Sequence, residues 1–303
     1  MLLGWGGAAA VVGGAAAAVS GLRLRSTRAS SRACRVSVVV PVVNEEACIS
    51  SCLASLGALD PPPLEVIVVD GGSRDGTAGR VRKARARRVA LIETDFGSRA
   101  KQMNEGARVA KGDFVMFLHA DTVPPLDAVS LVDRSFADPR VVLGAFTAIL
   151  AHEGRTMWGM NLLHQAKTHL GACFFRPMAA ARGMKVFFGD QAMVVRREAF
   201  VSCGGFHESL STMEDMDLCV KMFYGIKSLE AGRTSLQQSR GKQSRGARLV
   251  AIDRCVHTSG RRVAEWGSLK SLQLFLVLSL SYAFGASPSA LNELAGKVYS
   301  EIR

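Results

Sequence analysis

The sequence predicts an α/β fold, a three-layer sandwich with a mostly parallel, twisted sheet. Short β-branched runs alternate with segments of helical apolar spacing through the first 120 residues. Those runs are apolar throughout rather than alternately polar, the pattern of strands covered on both faces. Size agrees with this. At 303 residues, 48% hydrophobic and 21% charged, the chain can build one large domain or two small ones, and it is not a largely disordered polymer. It has no fixed-period repeat and no heptad stretch, so solenoid and fibrous architectures are excluded.

Each element has its own reason. Residues 36–42 (VSVVVPV) read as the first buried strand, closed by Pro41 and Asn44. Residues 45–59 follow as a helix, with Ile49, Leu53 and Leu56 on one face. Residues 64–70 repeat the strand signature and stop at a Gly-rich turn, and a basic helix spans 77–86. Residues 89–93, 101–110 and 114–119 continue as strand, helix and strand. Further on, Gly189-Asp190-Gln191 precedes a short apolar strand at 192–195.

The two ends differ from this middle. Residues 1–35 contain no acid, the first acidic residue of the chain being Glu45, and arginines alternate with serines from Arg23 to Arg35. That composition predicts a targeting leader, directed to a plastid or mitochondrion. The uncharged stretch from Leu2 to Val19 offers a membrane anchor as the alternative. Residues 36–225 then form the main α/β domain, 226–248 a basic Ser/Gln/Arg-rich loop, and 249–303 a C-terminal segment with an apolar helix at 270–285. That helix is shorter than a membrane span. It is expected either to pack on the domain or to lie at a membrane surface.

Charge and cysteines narrow the chemistry. The formal net charge of +12 favours an anionic partner. No RNA-binding signature or aromatic stacking platform accompanies it, so nucleic acid is set aside. Seven scattered cysteines without a CxxC pair argue against a disulfide framework or a zinc module. Within a basic chain, acids gather at the expected carboxyl ends of the strands: Asn44-Glu45-Glu46, Asp70-Gly71-Gly72-Ser73 and His119-Ala120-Asp121. Ligands of parallel sheets sit at those ends. Carboxylates there can hold a divalent cation, and a turn at Gly72 lets backbone N–H groups approach a diphosphate. The turn is not a phosphate-binding loop of the GxxxxGK type, because Gly76 is followed by Thr77 rather than Lys.

These motifs resemble the family 2 glycosyltransferases with the A-type nucleotide-sugar-binding fold. The resemblance runs over residues 36–224 and rests on several motifs in register. They are VSVVVP with Asn44-Glu45; Val69-Asp70-Gly71-Gly72-Ser73 with Asp75-Gly76-Thr77; Lys101-Gln102-Met103-Asn104 with Gly106; Leu118-His119-Ala120-Asp121-Thr122; and Glu214-Asp215-Met216-Asp217-Leu218. It is most similar to the small bacterial-type branch reading HADT. The resemblance implies an inverting transfer of a sugar from a nucleoside-diphosphate donor, a UDP- or GDP-sugar, to an acceptor hydroxyl, assisted by Mn²⁺ or Mg²⁺.

Residue by residue, it implies that Asp70 binds the base or ribose with Gly72 beside it, that His119 bonds the ribose or ligates the metal, and that Pro41 and Glu45 frame the nucleotide pocket. Arg99 and Lys101 contact phosphate, Asp121 ligates the metal, and Asp215 is the general base with Glu214 supporting it. Asp190 lines the acceptor side, and His257 is a further candidate metal ligand. Two departures stand out: Asp70 is followed by Gly71 where many members carry a second aspartate, and His119 replaces the first metal-motif aspartate. The rival readings are a sugar nucleotidyltransferase and a catalytically inactive, membrane-associated scaffold. The first lacks its Gly-rich loop with a reactive Arg or Lys after the first strand. The second is at odds with an intact Asp121 and Glu214-Asp215.

Overall fold

Seven consecutive buried residues make β1 (Val36–Val42), and their alternation divides the protein into layers. Val36, Val38, Val40 and Val42 point into one apolar core, while Val39 points into a second on the opposite side of the sheet. The computed structural model describes residues 34–84, 88–95, 98–226, 234–238 and 246–300. The targeting or anchor segment expected at 1–35 therefore falls almost wholly outside the described residues, as does most of the loop expected at 226–248.

From β1 the chain runs through α1 (Glu46–Gly57), β2 (Glu65–Asp70), α2 (Thr77–Lys83), β3 (Val89–Glu93), α3 (Arg99–Val109) and β4 (Phe114–Phe117). These four strands are parallel, in the order β3-β2-β1-β4, as helical crossovers require. Ile49, Leu53 and Leu56 of α1 and Val81 of α2 enter the first core, and Ala100, Met103 and Ala107 of α3 enter the second. Gly106 sits where a Cβ would strike Val39 and Val69, so only glycine lets α3 lie this close to β1 and β2. Gln102 and Asn104 of the same motif are structural. Gln102 donates to Val42 O at 3.2 Å, and Asn104 accepts from Phe206 N at 2.8 Å and donates to Phe206 O at 3.0 Å.

The second half adds β5 (Thr122–Val123), α4 (Ala128–Ser135), β6 (Val141–His152), β7 (Arg155–Thr156), α5 (Trp158–Phe175) and α6 (Pro177–Ala181). A 3₁₀ turn at Gly189–Gln191, β8 (Val194–Arg196), α7 (Arg197–Ser202), α8 (Glu214–Tyr224) and α9 (Ser235–Gln238) follow. The chain closes with β9 (Arg248–Ser259), α10 (Arg261–Trp266), α11 (Ser268–Ala283) and α12 (Pro288–Ser300). Here the sheet turns mixed: β8 runs antiparallel to β4 and β6, β9 parallel to β6, and β5 antiparallel to β9. Through β9 the C-terminal segment joins the same sheet, and the chain from Cys34 onward is one compact unit.

Of the two expectations for the apolar C-terminal helix, packing on the domain describes one face of α11. Leu274, Leu278 and Tyr282, four residues apart, are buried. The two leucines contribute about 1.5–3 kcal/mol each by leaving water. Tyr282 donates its hydroxyl to Asp217 Oδ1 at 2.9 Å, and Ser235 donates its backbone N–H (2.6 Å) and its hydroxyl (2.7 Å) to the same carboxylate. Asp217 is thus the buried point at which α8, α9 and α11 are tied. Among the described residues no helix is long and apolar enough to cross a membrane.

Candidate active site

Beyond the carboxyl ends of β1 and β4 lies a cavity of about 370 Å³. The strand tips supply Pro41, Glu45, His119 and Asp121. Arg99 enters from the first turn of α3, Glu214 and Asp215 from the first turn of α8, and Gly189 and Asp190 from the 3₁₀ turn. These residues are separated by up to 174 positions in the chain, and the parallel half of the sheet explains their convergence, because every strand of that half delivers its carboxyl end to the same edge.

Asp215 is the centre of the arrangement. Its Oδ2 accepts the Gly189 N–H at 2.7 Å, while Oδ1 is buried with no hydrogen-bond partner among the described residues. Burial and the adjacent Glu214 carboxyl push Asp215 up to about 8, against the opposing pull of Arg99 and the Gly189 N–H. Glu214 is also raised by burial, with Arg99 opposing from 3.6 Å. Three acids in the first turn of α8 are favoured by the helix dipole, yet dipole stabilisation alone gives no reason to leave a carboxylate oxygen buried without a donor.

Gly189 holds His119 and Asp215 together. A Cβ there would lie 2.7 Å from His119 Nε2 and 3.1 Å from Asp215 Oδ2, so the imidazole and the carboxylate both border the space a side chain would fill. We expect Gly189→Ala to displace one of them and to lower kcat/KM by about tenfold or more, with little change in melting temperature. Steady-state rates beside a thermal melt check this.

Asp121 caps no helix, since α4 begins at Ala128 with Asp127 at its cap position. It lies on the turn closed by the Thr122 N–H to His119 O bond at 3.1 Å. On the cavity wall opposite, Asp190 was singled out in the sequence but its partners were not. His164 of α5 meets Asp190 at 3.0 Å, and the ammonium of Lys167 lies 4.8 Å from the Phe188 ring centre and 3.8 Å from that of Phe275. Desolvation alone would raise Asp190, but His164, Lys167 and His119 outweigh it and hold the carboxyl at about 2. Lys167 is itself lowered by burial, with Asp190 opposing. Thr258 at the end of β9, and Arg261, which reaches Glu45 at 4.0 Å, complete the rim. Nothing local marks these residues, because β9 is carried to the site by pairing with β6 and β5.

Four candidates lie elsewhere. Asp70, at the tip of β2, spends Oδ1 on the Gly72 and Ser73 N–H groups at 3.1 and 2.8 Å, and it does not line the cavity. Gly72 forms that turn with φ of +90°, a conformation suited to glycine. Lys101 is exposed on α3. His257 is exposed, and the two-residue alternation of β9 puts Thr258 in the cavity and His257 on the other face. Asp75, by contrast, is a turn residue: it accepts from Thr77 N at 3.0 Å and Glu46 N at 3.1 Å. Among the described residues no group of three His, Cys, Asp or Glu is placed to hold a metal by itself.

Comparison with known proteins decides the family. Residues 37–204, more than half of the chain, match Glycosyl transferase family 2. The chain belongs to that family. Relatives of this family 2 chain include the O-antigen biosynthesis protein RfbC of Myxococcus xanthus, 27% identical over 243 residues, or 78% of this chain and 18% of that protein. The poly(ribitol-phosphate) β-N-acetylglucosaminyltransferase TarS of Staphylococcus aureus is 34% identical over 113 residues, 34% of this chain and 20% of that protein. The chain thus spans about a fifth of the length of these relatives.

Among solved structures, a mannosyltransferase of Pyrobaculum calidifontis in complex with GDP-Man and Mn²⁺ superposes with a TM-score of 0.58 at 22% identity, over 89% of this chain and 70% of that one. Glucosyl-3-phosphoglycerate synthase of Mycobacterium tuberculosis with Mn²⁺, UDP and phosphoglyceric acid gives 0.51 at 19%, over 82% and 78%. At such identities the likeness shows the fold: the family 2 chain has the α/β architecture of these sugar-nucleotide enzymes, with the mixed sheet described above.

Proposed function

We propose that this cavity transfers a glycosyl group from a nucleoside-diphosphate sugar, a UDP- or GDP-sugar, to an acceptor hydroxyl, with inversion and with Asp215 as general base. One observation carries the reading. Asp215 lines the cavity with one carboxylate oxygen locked by the Gly189 N–H and the other buried and unpartnered among the described residues, in an environment that raises its basicity. A base whose pKa lies near neutrality is suited to removing a hydroxyl proton.

In this scheme the acceptor O–H donates to Asp215 Oδ1. As its oxygen attacks the anomeric carbon, the proton passes to Oδ1 and the bond to the diphosphate breaks on the far side. A single displacement inverts the centre and needs no covalent nucleophile. Arg99 lines the same cavity and is placed to offset the charge gathering on the leaving diphosphate. Glu214 orients that guanidinium from 3.6 Å and raises Asp215, while Arg99 itself opposes that rise.

A divalent cation fits this donor set as one that arrives with the substrate. Asp121 supplies a hard carboxylate oxygen and His119 an imidazole, and the donor's phosphate oxygens and water would complete the shell. When bound, the cation would neutralise phosphate charge. The solved complexes of the Pyrobaculum and Mycobacterium enzymes with Mn²⁺ and a nucleotide support this. The test is a thermal melt with UDP, GDP and their sugars, with and without Mn²⁺. We expect a cation-dependent rise of several degrees for one nucleotide class, since saturating ligand at about 100 Kd adds ~2.7 kcal/mol. Asp121→Ala should remove the cation-dependent part, and an unchanged increment would assign the cation elsewhere. Proton NMR of the product's anomeric linkage reports inversion or retention.

A further inference from the structure

Most of the exposed large hydrophobic side chains among the described residues gather on neighbouring helices. On α5, Trp158, Leu162 and Leu170 are 78%, 75% and 53% exposed, and Met178 of α6 is 69% exposed. On α11, Leu276, Val277 and Leu280 are 47%, 45% and 53% exposed, with Phe284 just beyond at 83%. The spacing 158, 162, 170 and 276, 280, 284 makes each set a row along one helix face, opposite the face that enters the core. The contact of Lys167 with Phe275 shows that α5 and α11 touch. Both helices also wall the active-site cavity, through Met160, His164 and Lys167 on one side and Leu274, Phe275 and Leu278 on the other.

We propose that these rows dock the protein on an anionic lipid surface, through the outer faces of two helices whose inner faces wall the cavity. Charge selects this occupant. From Gly154 to Gly189 the chain has no Asp or Glu and carries, besides the half-buried Lys167 of the cavity wall, Arg155, Arg176, Arg182 and Lys185; from Gly267 to Asn292 it again has no acid and carries Lys270. Arg182 and Lys270 are exposed. Apolar rows with basic residues and no acids complement a bilayer bearing anionic headgroups, into which such helices sink their apolar face. A second copy of this chain would instead set like charges against each other, and an acid-free apolar face has no role in contact with water alone.

The test uses the full chain in flotation with vesicles of phosphatidylcholine alone or with about 30% phosphatidylglycerol. We expect the protein to float with the anionic vesicles, and the double variant Leu162→Glu/Leu280→Glu to reduce the bound fraction by about tenfold. Leu126→Glu, an exposed leucine outside the rows, should float like the wild type. A thermal melt of each variant verifies folding, which substitutions at exposed positions leave intact. Wild-type protein that stays in the lipid-free fraction overturns the proposal. So does a double variant that floats unchanged, which would place the attachment in another segment. Sedimentation showing a lipid-free dimer that the double variant dissolves would also overturn it, in favour of self-association.

Discussion

Asp215→Asn is expected to lower turnover by about 10²–10⁴-fold, the range for loss of a positioned general base, while donor binding stays near the wild-type value. The amide keeps the shape and can still accept the Gly189 N–H, but it cannot take a proton. Stability should move the other way. An aspartate raised from 3.8 to about 8 favours its neutral form in the folded state. The stability linked to that proton is fully present below about pH 4 and is lost as pH climbs through about 8. Asparagine has nothing to ionise, so the variant's melting temperature should exceed the wild type's by a margin that widens from about pH 6 to about pH 9. Wild-type kcat/KM should correspondingly rise with pH as Asp215 sheds its proton and level off above its pKa, a limb absent from the variant's residual rate. Parallel rate and melting profiles decide both. A variant that loses donor affinity instead of turnover would move the base elsewhere.

The second large effect concerns stability. Asp217→Ala should destabilise the fold by about 3–5 kcal/mol, because it takes the shared acceptor from three buried donors: the Ser235 N–H, the Ser235 hydroxyl and the Tyr282 hydroxyl. Lys221, buried one turn along α8, depends on the same carboxylate: burial lowers its pKa and Asp217 opposes that shift. The melting temperature should fall by about 2–4 °C for each kcal/mol lost. Tyr282→Phe, which removes one of the three donors together with its need, should cost about 1 kcal/mol. Chemical denaturation of the two variants gives the comparison, and near-equal losses would mean that Asp217 does not bear the tie between α8 and α11.

These residues show where local reading reaches and where it stops. The first strands were legible because a strand buried on both faces is apolar on both, as β4 is throughout and β1 and β2 are apart from Ser37 and the terminal Glu65 and Asp70. Glu45 and Asp121 stood out as acids at strand tips in a basic chain, while Pro41, His119, Glu214 and Asp215 were singled out by the resemblance to the family 2 glycosyltransferases. Asp217 follows the Glu214-Asp215 pair by two residues and reads as part of the same acidic turn, yet it faces Ser235 and Tyr282 rather than the cavity. A helical step of 100° per residue separates Asp217 from Asp215 by more than half a turn, and only the packing of α9 and α11 decides what each side meets. Asp70 reads as a ligand contact, and its Oδ1 also holds the turn at Gly72 and Ser73.

By itself the sequence determined the parallel half of the sheet, the helices that cover it and the edge at which ligands gather. Each of these follows from the burial and periodicity of neighbouring residues. Tertiary structure alone decided that β8 reverses against β4, that β9 returns from the far end of the chain to bring Thr258 into the cavity, and that α5 and α11 close its outer wall with Lys167 between two phenyl rings. Those contacts join residues about a hundred positions apart, and no local pattern encodes which strands pair or which helix faces meet.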